Sequence, residues 1–155
     1  MVSEIEYDPG ELVKIYSQSE TKKIEKKWMS IFCKNKQGFN TKQFKWHIFS
    51  GDGYPSIEAE EAQKKYDSKK EIEYIVMGNT GELAIHLNKK PQNYNHKDCY
   101  VFPVNMAWTM AFTHEEGWLG PYFAYHPDYK SLNIENEKKI EKERQKEEAK
   151  KKGWL

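Results

Sequence analysis

Residues 98–128 read DCYVFPVNMAWTMAFTHEEGWLGPYFAYHPD, the densest concentration of large apolar and aromatic side chains in the chain. Within them, positions 107–114 (AWTMAFTH) alternate strictly. As a strand they place Trp108, Met110, Phe112 and His114 on one face and Ala107, Thr109, Ala111 and Thr113 on the other. The second face is thin enough to let a helix approach closely. Cys99, Tyr100, Val101 and Phe102 form the strand before it, stopped by Pro103. Tyr122, Phe123, Ala124 and Tyr125 form a short strand after it, bracketed by Pro121 and Pro127 as an edge strand would be. These two or three neighbouring strands are the expected spine of the fold.

Working outward, residues 71–77 (EIEYIVM) and 82–87 (ELAIHL) are β-prone runs joined by Gly78-Asn79-Thr80-Gly81, a connection suited to a hairpin. His86 faces away from Ile85 and Leu87. Residues 44–50 (FKWHIFS) alternate and are expected to form another strand, with Phe44, Trp46 and Ile48 inward and His47 outward. Two helices are expected to pack on one face of the sheet. The first covers about residues 19–34, begun by the capping-box pattern Ser17-Gln18-Ser19-Glu20 and carrying Ile24, Trp28, Ile31 and Phe32 on one stripe. The second covers about 56–68, with Ala59, Ala62 and Tyr66 buried and Glu58, Glu60 and Glu61 facing the positive end of the helix dipole. Residues 11–16, after the Asp8-Pro9-Gly10 turn, read as a short helix or strand.

Composition changes sharply near the C-terminus. Residues 133–152 hold eight Lys/Arg against six Glu, with Ile134, Ile140 and Ala149 as the apolar exceptions. Pairs such as Glu135 with Lys139 support a helix, but there is no apolar stripe to bury, so it is expected to project. The chain therefore divides into one domain over residues 1–130 and a charged helical tail over 131–155. The fold class is α+β: a central antiparallel sheet of five or six strands, two packed helices and the projecting charged helix.

A chain of 155 residues is long enough to bury a core without staples, and 14% aromatic content beside 32% charged residues describes an aromatic interior in a Lys/Glu shell. No run approaches the roughly 18 apolar residues of a membrane span, and the first residues have no signal-peptide pattern, so a cytoplasmic location is expected. Cys33 and Cys99 lack metal-knuckle spacing and read as buried thiols. Net charge of +1 points to no polyanion partner.

Few residues point to chemistry. His114-Glu115 begins like the zinc-protease motif H-E-x-x-H, but position 118 is Trp, so no metal is expected and no cofactor is implied. Two readings of His114 stand. It is half of an acid–base pair with Glu115 or Glu116, or it is a structural histidine bonded to the adjoining loop and holding it closed. The lysines at 22, 23, 26 and 27 are interleaved with Glu20 and Glu25 and read as a solvated helix face, and nucleic acid is not the expected partner. Loop and edge residues Trp118, Tyr122 and Tyr125, beside Glu115 and Glu116, have the composition of a protein-binding patch.

Three segments carry a resemblance: residues 46–50 (WHIFS), residues 57–62 (IEAEEA), and Trp108-Thr109 through Thr113-His114-Glu115 to Gly120-Pro121-Tyr122-Phe123. Together, over roughly residues 44–124, they resemble a family of small uncharacterised bacterial proteins, and the size and style are similar to immunity proteins encoded beside secreted toxins. The resemblance implies a non-catalytic protein that binds a cognate protein toxin, with Trp118, Tyr122 and Tyr125 as anchors and Glu115 and Glu116 supplying charge. The alternatives are a small enzyme using His114 and Glu115, or a nucleic-acid binder using the tail and Lys22 to Lys27.

Overall fold

The computed structural model describes residues 12–34, 44–79, 81–91, 98–114 and 120–153. The 98–128 stretch supplies three adjacent strands: β5 (Cys99–Phe102), β6 (Trp108–Phe112) and β7 (Tyr122–Tyr125). Upstream lie β1 (Leu12–Ile15), β2 (Ile57–Glu58), β3 (Tyr74–Gly78) and β4 (Ile85–Leu87), with helices α1 (Gln18–Phe32), α2 (His47–Ser50) and α3 (Ala59–Ser68); α4 (Tyr129–Lys151) follows the last strand. The seven strands form one antiparallel sheet in the order β1-β4-β3-β5-β6-β7-β2, so β5 is central. This is the expected α+β class, with seven strands rather than five or six.

The alternation in β6 sorts the core into two halves. Trp108, Met110 and Phe112 join Val76, Val101 and Phe123 against Ala62 and Tyr66 of α3, with Tyr129 and Leu132 of α4 at the margin. Ala111 and Ala124 face the other way, where Trp28 and Phe32 of α1 pack with Ile48 and Phe49 of α2 and with Tyr100. The thin face is where α1 comes closest, and Trp28 Nε1 donates to Thr109 Oγ1 at 3.0 Å within the core. Truncating a fully buried residue such as Trp28 to alanine removes about 3–5 kcal/mol. Helices α1 and α3 thus cover opposite faces of the sheet instead of sharing one, because both faces of its central strands are apolar.

The capping box at α1 is present: Glu20 N–H donates to Ser17 Oγ at 3.1 Å and Ser17 N–H to Glu20 Oε1 at 3.0 Å. Residues 44–50 depart from the expected strand. They form a turn and the single-turn α2, with backbone bonds from His47, Ile48 and Phe49 to Phe44, Lys45 and Trp46. The amides just before it are satisfied by side chains, Lys45 N–H by Asn79 Oδ1 (2.9 Å) and Trp46 N–H by Tyr100 Oη (2.9 Å), so no ladder is needed. Trp46, Ile48 and Phe49 are nonetheless all buried. The helix expected from residue 56 starts later because Ile57 and Glu58 pair with Phe123 and Tyr122 as β2. That pairing also covers β7, which is therefore not an edge; the edges are β1 and β2.

Helix α4 begins at Tyr129, four residues earlier than composition suggests, and its first turns dock. Asn136 is buried and donates to Asn105 Oδ1 at 3.2 Å, while Asn105 Nδ2 donates to the Leu132 carbonyl at 3.1 Å. From Glu141 to Glu148 every residue is exposed, with Arg144 paired to Glu141 and Glu148. No helix among the described residues is long and apolar enough to cross a membrane.

Candidate functional site

Two regions stand out, one closed and one open. The closed one is a corner where the start of β5, the end of β6 and the turn before α2 meet. Asp98 precedes β5 and, being one residue from Cys99, faces the α1 side of the sheet. Its Oδ1 accepts from Trp46 Nε1 at 2.8 Å and from the His114 amide at 3.1 Å, and His114 Nδ1 lies 2.9 Å from both carboxylate oxygens. The carboxylate selects the tautomer with its proton on Nδ1, which leaves Nε2 as the basic nitrogen of the imidazole.

Trp46 is positioned from behind. Tyr100 Oη accepts its amide and donates to Asn79 Oδ1 at 2.7 Å, and burial holds the Tyr100 phenol well above its ordinary pKa, hence protonated. Buried Lys45 closes the same network, its Nζ bonded to the Asn79 carbonyl and 3.7 Å from Glu25. Rings complete the corner: Trp46 stacks on Tyr122 (6.3 Å), His47 meets the Trp46 edge (4.6 Å) and Phe44 lies 5.0 Å from His114.

The expected site residues fare unequally. Glu115, Glu116 and Trp118 lie outside the described residues. Tyr122 is 2% exposed, so as an anchor for a partner it is corrected to a core residue: the rings of Trp46 and Phe49 cover it on the α1 side of the sheet. Tyr125 is half-buried against Phe123 and Tyr129, and its carbonyl accepts from Tyr54 Oη. His114 was placed with Trp108 on the α3 side by alternation. The strand ends at Phe112, and His114 turns to Asp98 and Trp46 on the α1 side. Asp98 is the residue sequence reasoning missed. The β5–β6 register pairs Cys99 with Phe112, which brings Asp98 beside Thr113 and within reach of His114; counting that hairpin register was the available signal. No group of three His, Cys, Asp or Glu that could hold a metal occurs among the described residues.

The open region is the other end of the sheet. β1 pairs only with β4, through a register shift between Leu12 and Lys14 that is a bulge at Val13. Val13 and Ile15 are 54% and 49% exposed, and Lys14 between them reaches Glu20 of α1 at 2.7 Å. A bulge and a lysine both blunt an edge against adding another strand. What remains is two exposed aliphatic side chains on the edge strand, with Ile15 opposite Ile85 on the α3 side of the sheet.

Residues 14–123 match the model of a protein family described as a domain of unknown function, DUF4275. The chain belongs to the DUF4275 family. The match runs from β1 to β7, so the DUF4275 unit is the sheet with α1, α2 and α3, and α4 follows it. The family description carries no activity, in keeping with the resemblance to an uncharacterised family. No curated protein and no solved structure matches the chain.

Proposed function

We propose that the protein is a non-catalytic binding protein of the immunity type, which neutralises a cognate protein toxin in the cytoplasm, and that it makes contact through β1 and the start of α1. The observation that carries this is the pairing of Val13 and Ile15 on one edge strand: two of the four large exposed hydrophobics among the described residues sit two positions apart. Apolar side chains rimmed by charge are how a protein interface is built. The test is a photo-crosslinking residue at Val13, with the same residue at Ile134 as control, in the protein's own cells. The reading expects one protein captured at position 13, an enzyme that the purified protein inhibits and that Ile15→Glu no longer does. Capture of a protein whose activity is untouched, or of none, sinks it.

A second reading is favoured by a specific observation, the Asp98 carboxylate on His114 Nδ1, which is how an orienting acid prepares a histidine for proton transfer. Here His114 is the acid–base group and Asp98 its positioning residue, replacing the expected Glu115. A folded His114→Ala protein that still inhibits the captured enzyme in full rules this second reading out as the basis of inhibition.

A further inference from the structure

Lys22, Lys23, Lys26 and Lys27 look neutralised in sequence because Glu20 and Glu25 lie among them. In the fold both glutamates are committed elsewhere. Glu20 accepts from Lys14 Nζ at 2.7 Å and from the Ser17 amide, which hold its carboxyl down at about 2. Glu25 lies 3.7 Å from the ammonium of buried Lys45. Each carboxylate offsets a cation that is not on the outer face of α1. Among the described residues the four lysines form no ion pair, so the face presents four uncompensated positive charges.

Their placement does not serve the helix. At 3.6 residues per turn they span an arc of roughly 140° centred opposite Trp28 and Phe32, where i,i+4 neighbours repel one another. Nor do they serve the helix dipole, because the last turn, where a cation would be favoured, has none. Gln18, Ser19, Lys22, Lys23 and Lys26 lie together on the open surface at the start of this face, directly after β1.

We infer that the outer face of α1 docks an acidic surface of a protein partner. This rests on the binding reading above and names the chemistry of what is bound. Charge complementarity calls for an anion. Protein is favoured over nucleic acid because the chain's net charge is only +1 and because the face has lysines without an aromatic platform for bases.

The test titrates the full chain, at about physiological salt, with a glutamate-rich helical peptide carrying carboxylates at i,i+4 spacing and, separately, with a single-stranded oligodeoxynucleotide. The expected result is peptide-induced NMR shifts at Lys22, Lys23, Lys26 and Lys27, and binding about tenfold weaker in both K23E/K27E and K23Q/K27Q, with unchanged far-UV circular dichroism. Tighter binding of the oligonucleotide on the same lysines overturns the inference, as does an absence of peptide binding or binding indifferent to both double variants. A toxin captured at Val13 that binds K23E/K27E as well as the parent removes this inference and leaves the neutraliser standing. Peptide binding with no toxin captured does the reverse.

Discussion

At the corner of Asp98, His114 and Trp46, polar groups are spent on one another; along β1 and the outer face of α1, charge and apolar surface are left facing solvent. Both regions are built from the residue types that invite functional interpretation, histidine and carboxylate in one, lysine and aliphatic side chains in the other. The contrast lies in compensation. Asp98 is answered by an indole, an amide and an imidazole, so the corner fastens the α2 turn to the sheet whatever else it does. The four lysines of α1 are answered by nothing among the described residues, and a surface that nothing in the fold explains is the better place to look for a partner.

Substitutions test that contrast by separating loss of stability from loss of binding. The largest effect belongs to Trp46→Ala, which empties a buried site and strips Asp98 of its indole donor; urea unfolding should show a loss of about 3–5 kcal/mol. A loss below about 1 kcal/mol would show that the corner is not part of the core. Asp98→Ala leaves the Trp46 indole and the His114 amide without their acceptor and is expected to cost about 1–3 kcal/mol in the same measurement.

Glu71 gives a smaller effect with a pH signature. Burial pushes its carboxyl pKa up, although Trp108 Nε1 donates to it at 3.1 Å. An acid whose folded pKa exceeds its unfolded value ionises first in the unfolded chain. It therefore penalises folding as pH rises from the unfolded through the folded pKa and adds nothing below both. Glu71→Gln, which keeps an acceptor for the indole, should raise the melting temperature at pH 7, and the gain should vanish once the pH falls below the ordinary carboxylate range. A gain that persists in acid would remove burial of charge as the cause. The smallest effect on stability is expected at the open edge: Val13→Thr with Ile15→Thr should shift unfolding by no more than about 0.5 kcal/mol while weakening capture of the partner. A large loss of stability there would return β1 to the core and erase the comparison.

How much of this was legible varies with the range of the interaction. The capping box and stripe of α1, the β3–β4 hairpin and the two-faced strand at Trp108 to Phe112 follow from local periodicity, which records which side of an element meets the core. The same periodicity misled at residues 44–50, where Trp46 and Ile48 are buried in either conformation and the choice was made by Asn79 and Tyr100 capturing the amides. It misled again at Tyr122, whose burial depends on Trp46 and Phe49, more than 70 positions earlier in the chain.

The sequence by itself determined the class: an antiparallel sheet with an aromatic core, helices against it and a charged helix beyond, because patterning over a few residues decides what each element must bury. Tertiary structure alone decided the charge balance and the site. Glu20 and Glu25 are neighbours of the α1 lysines in the chain but partners of Lys14 and Lys45 in the fold. Asp98 is 16 residues from His114 and within hydrogen-bond reach of it. Electrostatic compensation depends on distance through space, and strand register sets that distance at separations a local pattern does not reach.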